Sequence, residues 1–344
     1  MRSERRTSII LAVTFIVLLS MFWLLPSVAF VVFISLLLSL LLRRLVDHLQ
    51  KRMPRGLAAA VTLTVFVLVV IGFLTLVSST LIPSLQKFIK DLPEITASVQ
   101  QLPILSESNF LSQEIDELWN EMANLSILAL KSSLTMLISI FSKVLDIVII
   151  LFVTFYLLKE GETIERWFAH LFPSKDYTRV LTLFAKILKS LCIYITSQLA
   201  ICFIMGSLVF LYFTLRGLPY ASVFAVASGI SEFLPVIGPT LASAFGTVLT
   251  ATVSPWIAMQ TLCFYLILTQ LNHNVIYPLL IGKTLNLHPI AIILGILLGG
   301  ELLGAAGMFL AVPCMVIIRL VIIDIHDAEV HIRKTPPDTT ESGK

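Results

Sequence analysis

Long runs of apolar residues are the feature that most constrains this chain. Every backbone N–H and C=O inside a bilayer must find a partner within the protein, so only helices or closed barrels can cross it. Six runs approach or exceed the roughly 17–25 residues of a spanning helix. They lie near residues 9–25, 27–42, 57–82, 132–158, 187–215 and 255–281. They are continuous, whereas barrel strands alternate apolar and polar residues. With 57% hydrophobic and 13% charged residues, the chain is predicted to be an all-α polytopic membrane protein.

Two further apolar stretches are broken by glycine and proline, and each carries one glutamate near its middle. The stretch 219–253 contains Glu232, and the stretch 285–323 contains Glu301. Each could be a re-entrant hairpin or a pair of short spans. We therefore expect about eight membrane segments, with the two broken hairpins in a pseudo-repeat arrangement. The predicted helix-breaking and hinge residues are Pro219, Pro235, Gly238, Pro239, Pro278, Pro289, Gly299, Gly300, Gly304, Gly307 and Pro313.

The two glutamates are the first candidates for a substrate or ion site. A carboxylate at the bilayer centre costs about 2.5–3.5 kcal/mol on insertion scales, so it normally faces protein or a water-filled cavity. Paired broken segments also point to the binding site of a transporter. We expect Glu232 and Glu301 to approach one aqueous cavity between the hairpins from opposite leaflets. The alternative is that both stretches are ordinary helical pairs with one tolerated glutamate each.

A polar patch within the run 255–281 adds further candidates: Gln270, Asn272, His273 and Asn274. Gln270 and Asn274 are one turn apart on a helix face, so they could face a central cavity or bond between helices. His273 lies off that face and is interpreted as a packing or interfacial residue. Gln198 and Ser197, in the run 187–215, give a weaker signal.

Asp146 is a candidate in the run 132–158. Lys143 precedes it by one turn, so an ion pair between the two is as compatible with the sequence as a functional role for Asp146.

Charge placement orients the chain. Basic residues precede the first run, follow the second, and recur in the tail as Arg333 and Lys334, which puts both termini in the cytoplasm by the positive-inside rule. We expect three membrane helices in 1–82, an extracytoplasmic amphipathic segment in 83–131, a fourth membrane helix in 132–158, a cytoplasmic interfacial helix in 159–189, a transport core in 190–325 and a disordered tail in 326–344. Within 83–131, the prolines Pro83, Pro93 and Pro103 are expected to end or begin short helices.

No enzyme signature stands out in the chain. It has no P-loop, HExxH, GxSxG or GxGxxG motif, so ATP hydrolysis and metalloprotease chemistry have no support. The four cysteines lie in apolar runs without CxxC spacing, which favours small core residues over a metal site. The sequence predicts no enzyme, no cofactor, no metal and no nucleic-acid partner.

The motifs together resemble the autoinducer-2 exporter (AI-2E) family of bacterial permeases. The resemblance rests on Gly217-Leu218-Pro219, Glu232 through Pro239, Gln270 through Asn274, Leu287-His288-Pro289 and the glycines from 299 to 307. It implies an inner-membrane protein of about eight segments that forms a homo-oligomer, a pentamer. Many members carry a glutamate in the polar patch where this chain has Asn272-His273. This difference makes Glu232 and Glu301 the stronger candidates for a cation-binding role.

Three functions follow as hypotheses. The first is a secondary transporter that exports a small polar solute, by resemblance a quorum-sensing molecule such as autoinducer-2. The second is a sodium or lithium/proton antiporter that uses Glu232 or Glu301, because a carboxylate removed from water holds its proton more tightly. The third is a membrane assembly scaffold in which 83–131 recruits partners. Besides the solute or ion, the expected partners are the lipid bilayer and further copies of the chain.

Overall fold

A computed structural model describes residues 10–14, 17, 20–21, 24–100, 144–173, 176–234, 237–282 and 287–334. Every regular element in these ranges is a helix, as expected for an all-α protein. The helices are α1 (Pro26–Leu49), α2 (Arg55–Gln100), α3 (144–170), α4 (Tyr177–Leu215), α5 (Ala221–Ser231), α6 (Ile237–Val253), α7 (Pro255–Leu271), a π-helical segment (Asn272–Ile276), α8 (Tyr277–Leu280), α9 (Pro289–Leu303) and α10 (Ala305–Lys334).

Four of these helices contain stretches long and apolar enough to cross a bilayer: Pro26–Leu49, Arg55–Phe88, Tyr177–Leu215 and Ala306–Asp327. They agree with a multi-pass membrane protein. Parts of the predicted runs 9–25 and 132–158 lie outside the described residues, as do 101–131 of the predicted outer segment. The total number of spans stays a prediction.

The chain divides into two compact units. The first comprises residues 1–63, 149–195 and 283–344, and the second comprises 64–148 and 196–282. In the first unit, α1, the end of α3 with the turn after it, α4 and α10 share one apolar core. This core includes Leu37, Leu40, Ala169, Phe172, Val180, Leu183, Leu191, Leu310 and Val321.

The predicted interfacial helix over 159–189 is divided between two longer helices. α3 continues to residue 170, a short turn follows, and α4 begins at Tyr177. The apolar stripe of this region is divided as well: Phe172 is buried in the core, whereas Trp167 and Leu171 are exposed.

Pro83 and Pro93 do not end helices, so that prediction is wrong. α2 passes through both without interruption, while Pro103 lies outside the described residues. A proline inside a helix loses one hydrogen bond and costs about 3 kcal/mol, which packing within the second unit can offset. The Ser222 hydroxyl donates a hydrogen bond to the carbonyl of Thr80 at 3.2 Å. The rings of Tyr220 and Phe88 pack edge to face, with their centroids 5.1 Å apart.

The second broken stretch reverses at Gly304 and not at Pro313. Gly304 has φ 59°, a conformation that glycine adopts at little cost. Pro313 lies inside α10, which continues to Lys334. The first residues of the predicted disordered tail are therefore helical, and 335–344 lie outside the described residues. Next to the turn, a Cβ on Gly299 or Gly307 would collide with the other residue's backbone, so these glycines let α9 and α10 pack closely.

Ion pairs join the ends of α1 and α3 and the start of α2 in the first unit. Arg43 contacts Glu165 at 2.9 Å, and Arg55 contacts Glu162 at 2.7 Å. Arg55 also donates to the carbonyl of Leu158 at 2.9 Å. The hydrogen bond and positive charge of Arg55 hold the pKa of Glu162 below its ordinary value of 4.5.

We expect replacement of this arginine to make stability depend less on pH. A carboxyl group whose pKa is lowered on folding stabilises the protein above its unfolded-state pKa, and loses that contribution as pH falls through the folded-state value. Arg55→Gln should therefore lower the melting temperature of the detergent-purified protein at pH 7. The difference in melting temperature between the variant and the wild type should shrink below about pH 4.5, which is the ordinary pKa of a glutamate side chain. The pair is partly exposed, so its contribution is about 0.2–1 kcal/mol.

The control is Glu162→Gln, which keeps the bond from Arg55 to Leu158. It should lose the same pH-dependent part of the stability. A melting-temperature difference that stays constant from pH 7 to pH 3 in both variants would contradict the assignment.

Candidate functional site

The candidate site lies in the second unit, where the helical chain breaks between α5 and α6. α5 ends at Ser231, and Glu232 occupies its C-terminal cap position. The last carbonyls of a helix have no partner within that helix, and an unsatisfied carbonyl is costly where water is excluded. The turn covers two of them, because Phe233 N–H donates to the carbonyl of Ile230 and Leu234 N–H to that of Ser231. The carbonyl of Glu232 needs a partner from elsewhere.

Two neighbouring residues of α4 supply the missing donors. The side-chain amide of Gln198 donates to the carbonyl of Glu232 at 2.8 Å. The hydroxyl of Ser197 donates to the carbonyl of Leu280, the last residue of α8, also at 2.8 Å. α8 ends there because Gly282 adopts φ 60°, as is common after a helix C-terminus. One turn of α4 therefore holds the ends of two broken helices.

The carboxylate of Glu232 contacts the start of the π-helical segment. Asn272 Nδ2 donates to Glu232 Oε2 at 3.0 Å. Glu232 is 6% exposed, Asn272 5% and Gln198 3%. Asn272 Oδ1 is also buried, and no described residue forms a hydrogen bond with it. The segment's position follows from Pro278, which cannot donate to the preceding turn and so disturbs the regular helical ladder.

Glycines allow the helices to approach closely enough for these contacts. A Cβ on Gly229 of α5 would lie 2.9 Å from the carbonyl of Cys202 on α4, and one on Gly206 would lie 2.9 Å from the carbonyl of Ala225. A Cβ on Gly238 of α6 would collide with the Ser231 carbonyl. Only the hydrogen of a glycine fits at these points. The resulting close approach of the helices lets Gln198 reach the Glu232 carbonyl at the break between α5 and α6.

Comparison of the sequence with known protein families identifies the family of this chain. The family model described as "AI-2E family transporter" matches residues 12–326. The chain belongs to the AI-2E transporter family. It is therefore a multi-pass membrane protein of a transporter family.

Several relatives of this transporter carry names. "Putative transport protein YueF" of Bacillus subtilis (strain 168) is 28% identical over 326 residues, covering 86% of each chain. "Putative permease PerM" of Escherichia coli (strain K12) is 24% identical and covers 78% of each. "AI-2 transport protein TqsA" of the same organism is 23% identical and covers 83% of each.

The transporter brings together only some of the residues singled out from its sequence. Glu232 and Asn272 are in contact. Gln270 and Asn274 are exposed and bond to each other instead, with Asn274 Nδ2 donating to Gln270 Oε1 at 2.9 Å. His273 is exposed and its Nδ1 lies 2.9 Å from the carbonyl of Thr269.

The other acidic candidates lie elsewhere in the transporter. Glu301 is exposed on α9 in the first unit, and Asp146 is half-buried on α3 in the second. Lys143, the predicted partner of Asp146, lies outside the described residues. So does Pro235 among the predicted hinge residues. A shared cavity for Glu232 and Glu301 stays a prediction.

Gln198 and Ser197 contribute more to the site than their sequence pattern indicated. Their signal was present, because polar side chains inside a long apolar run need partners. What the sequence did not reveal was the partner, which for Gln198 is a backbone carbonyl 34 residues away.

The site can act as a cluster of hydrogen-bonding groups within apolar surroundings. The carboxylate of Glu232 and the free oxygen of Asn272 are acceptors that a hydroxyl- or amine-bearing molecule could bind. Among the described residues, no group of three or more His, Cys, Asp or Glu could hold a metal ion.

We expect Gln198→Leu to destabilise the protein by about 1–3 kcal/mol, because it leaves the buried Glu232 carbonyl without a donor. Reversible unfolding of the detergent-purified variant would measure this loss. The matched control is Gln270→Leu, which removes an exposed glutamine with an exposed partner. Equal destabilisation by the two replacements would contradict the capping role of Gln198.

Proposed function

We propose that this protein is a secondary transporter that exports a small polar solute, and that Glu232, Asn272 and Gln198 form part of its transport site. The observation that carries the proposal is the buried carboxylate of Glu232, held at a helix break by Asn272. A buried ionisable group in a membrane protein usually marks a substrate or ion pathway. Broken helices supply polar groups at membrane depth in transporters.

The chemistry of the cluster favours a solute rich in hydroxyl groups. Glu232 Oε atoms and Asn272 Oδ1 accept hydrogen bonds, whereas Asn272 Nδ2 donates them. Such a cluster can replace part of the water shell of a small polyol or hydroxyketone. A solute of the autoinducer-2 kind fits this description, and a relative at 23% identity is named an AI-2 transport protein.

We place the protein in the bacterial inner membrane, with both termini in the cytoplasm, and we expect it to form a homo-oligomer. The positive-inside pattern of the sequence supports the orientation. Since the sequence has no ATP-binding motif, the energy for transport comes from an ion gradient or from the gradient of the solute itself.

The proposal is tested by flux from liposomes that contain the purified full-length protein and are loaded with autoinducer-2. We expect efflux without ATP. Glu232→Gln and Asn272→Leu should each slow it by about tenfold or more, because a hydrogen bond to a charged group contributes about 1.5–3 kcal/mol and 1.4 kcal/mol is a factor of ten.

The control is His273→Leu, an exposed position in the same π-helical segment, which should leave efflux close to that of wild type. Untargeted comparison of metabolites inside and outside cells, with and without the protein, extends the search to other solutes. Efflux that survives Glu232→Gln would remove the proposed site. Proton efflux on addition of sodium or lithium, without solute movement, would favour the antiporter hypothesis instead.

A further inference from the structure

We propose that Glu232 and Asn272 form a proton-operated switch, in which protonated Glu232 pairs with the Asn272 amide through two hydrogen bonds and ionised Glu232 through one. This inference rests on the proposed transport function and specifies how its site is coupled. The switch would give the transporter a proton-dependent step.

The unpartnered oxygen of Asn272 is the observation that leads to this proposal. Asn272 Nδ2 already donates to Glu232 Oε2, while Asn272 Oδ1 is buried and has no donor among the residues that the structure describes. Buried polar atoms without partners are uncommon in proteins, and each requires an explanation. A carboxylate cannot satisfy this oxygen, because an ionised carboxylate only accepts hydrogen bonds.

A protonated carboxyl group supplies the missing donor. Its O–H on Oε1 can donate to Asn272 Oδ1 while Asn272 Nδ2 continues to donate to Oε2. A carboxylic acid and a primary amide then form a closed ring of two hydrogen bonds, with both side chains kept near their present positions. The proton comes from water, one O–H bond forms on Glu232, and the charge of the side chain changes from −1 to zero.

The position of Glu232 supports a neutral form of this group. It caps the C-terminus of α5, where the partial negative charge of the helix disfavours an anion. Titratable side chains of the neighbouring elements include His273 in the π-helical segment, Cys202 on α4, Tyr265 on α7 and Tyr277 on α8. The ring nitrogen Nδ1 of His273 already contacts the Thr269 carbonyl, Cys202 Sγ contacts the Gln198 amide at 4.0 Å, and the Tyr265 hydroxyl lies 3.4 Å from Ser228. When no solute is bound, the Asn272 oxygen is therefore available to the O–H of protonated Glu232.

Protonation of Glu232 would also affect the two interrupted helical segments on which Glu232 and Asn272 lie. Glu232 lies at the break after α5, and Asn272 begins the π-helical segment before α8. Adding or removing one hydrogen bond between them changes how firmly the two interrupted segments are joined. Proton binding would thereby bias the arrangement of both segments.

The test is pH-difference infrared spectroscopy of the full-length protein in lipid nanodiscs, with choline as the salt cation. We expect a carbonyl band of a protonated, hydrogen-bonded carboxyl group that appears as pH falls and is absent in Glu232→Gln. The control Glu160→Gln, an exposed glutamate of α3, should keep the band. In Asn272→Leu the band should move to higher frequency, because a carbonyl that loses a hydrogen bond has a stiffer C=O bond.

The switch would be overturned by a titrating band that persists in Glu232→Gln, by a band whose frequency does not change in Asn272→Leu, or by the absence of any such band in the wild type. Asn272→Ser serves where leucine is not tolerated, and it should also shift the band because it cannot form the ring. The measurement needs no solute, so its outcome is separate from that of the flux assay. Solute efflux without the band would overturn only the switch, and the band without efflux of any solute would overturn only the proposed transport.

Discussion

The need to satisfy backbone carbonyls at broken helix ends governs the second unit of this protein. When a helix ends inside an apolar environment, its last carbonyls cannot form hydrogen bonds with water. Gln198 and Ser197 of α4 solve this for two ends at once, by donating to the carbonyls of Glu232 and Leu280. This requires α4 and α5 to lie almost in backbone contact, which Gly206 and Gly229 permit. The glycines, the capping side chains and the helix breaks are therefore one interdependent arrangement.

That arrangement fixes the surroundings of Glu232. Its backbone is held by α4, and its carboxylate meets the π-helical segment through Asn272. An ionised side chain at the C-terminal end of α5 gains nothing from the helix dipole, so its amide partner is the main compensation. In the proposed switch, protonation of Glu232 removes this charge and adds a second hydrogen bond to Asn272. A purely structural contact would not need such a change.

The sequence predicted the elements that depend on local chemistry, and less of those that depend on distant contacts. The apolar runs predicted helices, and Pro219, Gly304 and the Glu232 region predicted interruptions that the structure contains. Pro83 and Pro313 were predicted to break the chain, but both lie inside continuous helices, where packing can offset the hydrogen bond that a proline loses. The partners of Glu232 could not be found from spacing, since Gln198 and Asn272 are 34 and 40 residues away. Periodicity favoured Gln270 and Asn274, which pair on an exposed face, over Asn272 between them.

In the proposed transport site, Glu232 and Asn272 act as one unit. A double-mutant cycle on solute efflux from liposomes tests it most directly, with Glu232→Gln, Asn272→Leu and the combined variant measured at equal protein content. If the two residues act through their contact, their effects are not additive, and the double variant should be no slower than the slower single variant. Efflux in the double variant that falls by the product of the two single effects would show that the residues act independently and would contradict this account.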